Sequence, residues 1–512
     1  ARPEFDESVP NDLKVIIIGG GMSGMATAIR LGRAGIDWQL FEAAGDFGGT
    51  WYRTNYPGVA VDTPSHFYSF SFELNPKWTR YYPQSTEYQR YMLDVAEKYK
   101  LYDNTSFRTK VNTCTWDEEA AEWVVEVVDA DGNTATHRAN AVVSALGYLN
   151  TPKRPNIPGE EKFTGRIMHS AEWDETVDLA GKKVAVVGTG ATAIQLVAEL
   201  TPQVGQMTVV QRQPHWVFKN AAVGESVPEA QRWALEHIPY YHQWYRVKIH
   251  WFAGDINVHM VTVDPEWVKN NPHSISEANE LRRQAGLQYL EESFADRPDL
   301  KAQLTPDYPP FGKRPVMDPG FFDALKQPHV KMVTGGMKEY TENGLLLDTG
   351  IEVEADVIVL ATGYNLLWHS SVEVIGRDGV SLNQVWENGE NPFAHRGQMV
   401  PGFPNFFNLA GPNEGSNHGG GHNVNAEVDA QFVTASMQWL QQQDAAAMEP
   451  TQEAFEAFDA ELQKQLATKI WMFPSTATTY YTNKAGRVIL PYPGLWWSGG
   501  PNSASRSRPS TG

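Results

Sequence analysis

Two glycine-rich loops, each set between a β-branched run and a helical pattern, constrain this chain more than anything else in it. Lys14–Ile18 is a short apolar run that enters Gly19-Gly-Gly21-Met-Ser-Gly24. A helical pattern follows over 25–34, Gly35 ends it, and a second strand over 36–41 finishes at Glu42. In such a strand–loop–helix–strand unit the first glycine allows the tight turn and the second lets backbone approach a pyrophosphate. The third permits close helix–strand packing. The phosphates sit on the helix N-terminus. A carboxylate at the end of the second strand accepts the ribose hydroxyls and repels a 2′-phosphate, so Glu42 suits FAD or NAD rather than NADP. The unit recurs at Lys183–Val187, Gly188-Thr189-Gly190-Ala191-Thr192-Ala193, a helical stretch over 194–200 and a strand over 207–211. Arg212 now stands where the acid stood, and a guanidinium grips a 2′-phosphate bidentately. Two sites of opposite preference in one chain predict a flavin reduced by NADPH.

These units predict an α/β protein with two Rossmann-like dinucleotide-binding domains, and length sets the rest. The 512 residues suggest about three domains' worth of chain. Further strands are expected over 110–116, 123–128, 134–138 and 141–146, with an Asp131-Gly132 hairpin turn. From about Val227 to Phe294 the composition turns polar, helical and aromatic-laced, which reads as a helical insertion. The expected division is 1–150 as the first part of the FAD domain, 151–226 as the first part of the NADP domain and 227–304 as the insertion. Residues 305–364 then return to the NADP domain and 365–512 to the FAD domain. Trp233, Tyr240, Tyr241, Trp244 and Trp251 of the insertion are expected in a core or lining a tunnel. Glu236, Arg246 and Lys248 argue against a membrane face there. The net charge of −19 excludes a nucleic-acid surface, which needs a concentrated basic stripe. The single cysteine, Cys114, excludes a redox-active dithiol and any need for an oxidising compartment. No apolar run approaches a membrane span. A cytoplasmic enzyme, monomer or homodimer, is the expectation. The chain opens on Ala1 rather than methionine, as a trimmed chain would.

Three further motifs carry chemistry. Phe163-x-Gly165-x3-His169-x3-Trp173-Asp174 lies between the two nucleotide loops. Gly49-x-Trp51-x4-Tyr56-Pro57-Gly58-x3-Asp62 follows the first, and Asp356 precedes Ala361-Thr-Gly-Tyr364. Together these resemble the fingerprints of the flavin-dependent Baeyer–Villiger monooxygenases. The stretches 62–72 and 411–420 look most similar to the 4-hydroxyacetophenone monooxygenase branch. The resemblance implies that NADPH reduces FAD and that O2 then forms a C4a-peroxyflavin. This adds to a ketone, aryl or bulky cyclic, and a tetrahedral adduct yields an ester or lactone. It further implies that Arg314, in Lys313-Arg314-Pro315, acts beside the flavin with Asp62 as its partner. A fixed guanidinium would stabilise the peroxide anion and the later oxyanion. Lys313 would join Arg212 at the 2′-phosphate. Thr50, Trp51, Val111 and Asn413 are expected at the FAD site with Gly19, Gly21, Gly24, Glu42 and Asp62. Gly188, Thr189, Gly190, Ala191 and Thr192 are expected at NADP.

Other readings of these residues compete. A heteroatom-oxidising flavin monooxygenase shares the nucleotide loops, but its fingerprint usually lacks the Trp173-Asp174 ending and it has no clear need of Arg314. An uncoupled NADPH oxidase or ligand-binding flavoprotein would leave Arg314 and Asp62 without a role. His169 is expected to couple domain position to cofactor state rather than to act as an acid or base, and Asp174 to cap a turn. His418 and His422 have the spacing of a metal pair, but three glycines separate them and no third ligand is indicated, so no metal is expected. Gly419-Gly-Gly421 would open a helix whose dipole faces the flavin. Tyr480-Tyr481 stands where relatives carry a tryptophan over NADP.

Overall fold

The computed structural model describes residues 12–366, 371–415, 420–475, 477 and 479–494. His418, Gly419 and the tail 503–512 therefore lie outside the described residues. Two five-stranded parallel sheets organise the chain. The first runs Phe406–Asn408, Ala141–Ser144, Lys14–Ile18, Asp37–Glu42, Thr105–Phe107. Its central strand is buried on both faces, with Val15, Ile16, Ile17 and Ile18 at most 3% exposed. Val15 and Ile17 pack under helices while Ile16 and Ile18 pack against the strands of 110–139, so both faces are covered and Lys14–Ile18 reads as an unbroken apolar run rather than an alternation. The helix Met22–Arg33 packs on one face against the long helix His422–Gln442. The first strand has neighbours from opposite directions of the chain, Asp37–Glu42 on one side and Ala141–Ser144 on the other. That is the switch point where open α/β sheets leave a crevice at their carboxyl ends.

The second sheet runs Val330–Thr334, Gln206–Gln211, Lys183–Val187, Val357–Leu360, Arg166–His169, again wholly parallel. A three-stranded antiparallel meander, Met337–Thr341, Gly344–Leu347 and Glu352–Glu354, is attached to it. A smaller sheet carries Lys110–Asp117, Glu122–Val128 and Thr134–Ala139, with Gly132 in the left-handed conformation at the hairpin turn. The insertion is helical: Glu229–His237, Tyr241–Ala253 and Glu277–Phe294 are its main elements.

One expectation about the insertion is overturned. Trp233, Tyr240, Tyr241, Trp244 and Trp251 are exposed, neither core nor tunnel lining. Arg246, named above only as arguing against a membrane face, points inward and donates to the Phe67 carbonyl at 2.6 Å. A helix as amphipathic as Tyr241–Ala253 shows which residues share a face, but not which face meets the protein. Two helices escaped the sequence reading altogether, Ser85–Lys98 and Gln452–Leu466.

Candidate active site between the two nucleotide-binding units

Both glycine loops sit at the carboxyl end of the central strand of their sheet. Gly19 has φ +109°, and a side chain there would meet the Ala145 carbonyl; Gly188 repeats this with φ +124° against Ala361. A Cβ on Gly24 would fall 1.9 Å from the Gly19 carbonyl oxygen, so the helix approaches its own loop as closely as backbone permits. Gly21 and Gly190 stand at the N-termini of their helices, without side-chain caps. The Gly48-Gly49 turn, just before the short helix Thr50–Arg53, comes so near that a Cβ on Gly49 would lie 2.9 Å from the Gly21 Cα. Backbone amides line this gap, which fits a pyrophosphate. Glu42 is buried at the strand end, accepting from the Gly20 and Ala44 amides at 2.6 Å each and pairing with Arg53 at 3.3 Å. The carboxylate is thus pre-oriented beside the loop. Thr50 is exposed at the mouth of this cradle. The Trp51 indole hydrogen-bonds Tyr68, whose phenol is pushed up to about 12 by burial.

Two residues expected at the flavin have other engagements. The Val111 side chain is buried in the hydrophobic core, so only its main chain is available to a nucleotide. Asn413 is buried and donates to the Val488 and Pro491 carbonyls at 3.0 and 3.2 Å. Its amide ties the late strand loop to the C-terminal segment.

At the second loop, Arg212 is exposed on a groove of about 470 Å³ that Gln213, Gln303, Thr305 and Asp307 also line. Lys313 is buried beside it with its ammonium 5.0 Å from the Tyr308 ring centroid. Burial, reinforced by the Arg212 charge, lowers Lys313 to about 8. His215 escaped the sequence reading. It contacts the Thr189 hydroxyl at 3.1 Å and lies within 4.0 Å of where a Gly190 side chain would begin. Burial and then Lys313 and Arg212 hold it neutral, down to about 3. Arg212, Lys313, His215 and Thr189 therefore form one electropositive, partly desolvated corner, which fits a nucleotide phosphate. Ala191 and Thr192 open the helix there, Thr192 bonding Tyr56.

The two units meet through the Tyr56-Pro57-Gly58 turn. The Tyr56 hydroxyl donates to Gln195 at 2.6 Å, and Gly58, at φ +81°, leaves no room for a side chain against Gln195 and Glu199. Asp62 follows on the same segment. Its carboxylate accepts from Arg314 at 2.6 Å, an ion pair between the flavin unit and the segment after the insertion. Arg314 keeps 46% of its side-chain surface accessible yet interacts with Tyr148, Tyr480 and Tyr481, so it lines an internal cleft. Asp62 raises its already high pKa, outweighing desolvation. Tyr480 is the half-exposed member and Tyr481 the buried one, packed edge-on to Trp471. The sequence reading also missed Tyr148 bonded to His422 at 2.5 Å. Burial, then the Arg314 charge, lowers His422 to about 4. No local motif marks Tyr148, which lies directly after an expected strand at the sheet's carboxyl edge, and the spacing of His422 from His418 gave no hint of this bond at the helix N-terminus.

The fingerprint segment forms the edge strand of the second sheet and the turn after it. His169 is fully buried at the end of the edge strand Arg166–His169, its Nδ1 accepting from the Ala171 amide at 3.1 Å. Asp174 caps a turn through Thr176 and pairs with Arg166 at 2.8 Å.

Two dinucleotide units joined over an arginine-bearing cleft define a flavin- and nicotinamide-dependent oxidoreductase. Comparison with known proteins narrows the class. The pyridine nucleotide-disulphide oxidoreductase family model matches residues 13–235, although the lone Cys114, buried here, cannot form a redox dithiol. A Baeyer-Villiger monooxygenase of Pseudomonas aeruginosa is 34% identical over 490 residues, 94% of this chain and 88% of that protein. Among solved structures, an oxidized steroid monooxygenase bound to NADP superposes with a TM-score of 0.77 at 26% identity, covering 94% of this chain and 95% of the other. An open form of cyclohexanone monooxygenase gives 0.75 at 26% identity, over 89% and 93%. The chain belongs to the Baeyer–Villiger monooxygenase family. It is an NADPH-dependent flavoprotein monooxygenase that uses FAD and NADP(H). No helix among the described residues is long and apolar enough to cross a membrane.

Proposed function

We propose that this enzyme inserts one oxygen atom of O2 beside the carbonyl of an aryl or bulky cyclic ketone, giving an ester or lactone. The observation that carries this reading is the Arg314–Asp62 ion pair within a tyrosine-lined cleft between the two nucleotide units. The steroid and cyclohexanone monooxygenases named above support a cyclic ketone. Bound FAD supplies the oxygen-activating chemistry and NADPH the electrons. Gly19, Gly21, Gly24, Glu42, Thr50 and Trp51 would hold FAD, in a unit formed from 1–150 and 365–512. Gly188, Thr189, Gly190, Ala191, Thr192, Arg212 and Lys313 would hold NADPH, in a unit formed from 151–226 and 305–364.

The residues of the cleft divide the remaining work. Arg314 is permanently charged and directionally fixed by Asp62, so its free N–H donors stabilise negative charge that develops on oxygen in the cleft. Asp62 prevents the guanidinium from rotating toward solvent. Tyr68 and Tyr148, both with phenols raised by burial, remain protonated and donate rather than add charge. His422, held neutral, does not compete with Arg314 for the anion. The test is a panel of ketones with purified holoenzyme, scored by product mass and by NADPH consumed per product. NADPH consumption without any product heavier than its ketone by one oxygen atom would refute the reading.

A further inference from the structure

The insertion helix Tyr241–Ala253 has two unlike faces. Its inner face is polar and occupied. Arg246 donates to the Phe67 carbonyl at 2.6 Å and the Ser69 hydroxyl at 3.2 Å, and His242 and Tyr245 pack on the His66 ring at 5.5 and 5.3 Å. Its outer face is bare and mainly apolar, with the exposed Gln243 and Lys248 beside the apolar row. Tyr240 is 73% exposed, Trp244 70%, Val247 51% and Trp251 59%. Trp233 on the preceding helix, with Ile238, Phe252 and Ile256, extends the bare patch to both sides.

Area and spacing together identify what covers it. Five exposed aromatic rings with their aliphatic neighbours offer roughly 800 Å² of apolar surface, taking about 150–250 Å² per ring. That exceeds the ~300–600 Å² of the largest patch on an ordinary monomer and matches what one partner buries in a standard interface. Within the helix, positions 244, 247 and 251 are spaced three and four apart, and Tyr240, the left-handed residue just before the helix, extends the row at its N-terminal end. This is the seam of a helix that packs along a second helix at a shallow angle. A helix that lies on a lipid surface instead carries its basic residues on the solvent side of the same cylinder. Here the opposite side is buried in the protein, Arg246 is turned inward and Lys248 is the one exposed lysine or arginine of the helix, and the chain's net charge of −19 repels an anionic bilayer. A seam of identical composition on a second copy is complementary to itself when the two helices run antiparallel, and the resulting two-fold interface closes without exposing new surface.

We propose that the outward seam of Tyr240, Trp244, Val247 and Trp251 is the interface of a two-fold homodimer. The helix whose outer face forms the dimer holds, on its inner face, the 66–69 segment that follows Asp62, so association buttresses the wall of the cleft.

The test is the mass of the full-length holoenzyme by sedimentation equilibrium at micromolar concentration. The expected mass is twice 57.2 kDa, and a Trp244→Glu/Trp251→Glu variant should sediment at 57.2 kDa. That variant should keep its FAD content and circular dichroism, because both side chains point away from the protein. Trp244→Phe/Trp251→Phe should remain a dimer. A wild-type chain that sediments as a single 57.2 kDa species overturns the proposal. So does a double-glutamate variant that stays dimeric, or a monomer that floats with phosphatidylcholine vesicles, the result expected of a lipid-facing stripe.

Discussion

The guanidinium of Arg314 and the carboxylate of Asp62 meet at 2.6 Å although 252 positions separate them in the chain. The pair joins the segment that leaves the insertion to the segment that leaves the first glycine loops. It positions a permanent cation where both nucleotide units converge.

Arg314→Ala should therefore leave hydride transfer from NADPH to FAD intact while product formation falls about 10²–10³-fold, the usual cost of losing one preorganised anion-stabilising donor. Stopped-flow flavin reduction and product mass separate the two effects. Asp62→Asn should cost less, since the cation survives without its anchor. The double variant should be no worse than Arg314→Ala alone, because the two act as a unit. Equal ester yield from Arg314→Ala would remove the residue from the chemistry.

Lys313, as a proposed NADPH-binding residue, should give NADPH binding a pH dependence. Burial and Arg212 lower its pKa to about 8, so the free enzyme loses this charge as pH rises through 8. The KM for NADPH should climb between about pH 7.5 and 9.5, while that for NADH, which lacks the 2′-phosphate, stays nearly level. Arg212→Ala should raise the KM for NADPH about 10–100-fold, as expected for a lost charge-assisted contact. Parallel pH profiles for the two coenzymes would count against both assignments.

His66 and His242 make the docked insertion acid-sensitive. The His66 ring nitrogens have no hydrogen-bond partner, nor does Nε2 of His242; Tyr245 and the cationic Arg246 face the pair from the insertion helix. Burial lowers His66 to about 3 and His242 to about 4, well under the exposed value near 6.5. Between pH 6.5 and about 4 the unfolded chain binds protons that the folded chain refuses. Stability from the neutral pair is thus complete above pH 6.5 and lost as pH falls, by up to about 1.4 kcal/mol per unit for each histidine. His66→Phe should flatten the fall in Tm between pH 7 and 5. An unchanged slope would place the acid lability elsewhere.

Gly58 should tolerate no side chain. At φ +81°, with Glu199 Cβ only 2.9 Å from a virtual Cβ, Gly58→Ala combines a left-handed backbone with a clash against the NADP-side helix. The cost should be about 1–3 kcal/mol in thermal or urea unfolding. Because the contact joins the two units, flavin reduction by NADPH should slow as well. Normal reduction in a destabilised variant would limit the turn to a packing role.

What the chain disclosed beforehand depended on whether backbone or tertiary contact decides. The two nucleotide units were readable because only glycine adopts the conformations at Gly19 and Gly188, and because Glu42 and Arg212 sit at fixed distances along local units. The strand Lys183–Val187 was placed to the residue, since an apolar run bounded by lysines and glycine has one solution. Residues brought together by folding were not readable from spacing. Arg314 and Asp62 were singled out only through resemblance, His215 and Tyr148 were passed over because an isolated histidine or tyrosine carries no signal, and His422 was noticed only for its spacing from His418, which says nothing of Tyr148. The helix Ser85–Lys98 did carry one: Tyr88, Tyr91, Met92 and Val95 are buried at helical spacing. The insertion aromatics were misplaced because hydrophobicity reports a preference for burial and not which residues of a helix meet the protein.

The position of Phe406–Asn408 in the first sheet has a consequence for biosynthesis. The second sheet draws all its strands from 166–360, so it can close while the ribosome is still translating the C-terminal segment. The first sheet, begun at Lys14, must wait for a strand nearly four hundred residues later to seal against Ala141–Ser144. The nascent flavin half therefore spends most of its translation with an open edge. Prematurely terminated chains, or chains made in flavin-starved cells, should fail at that half first.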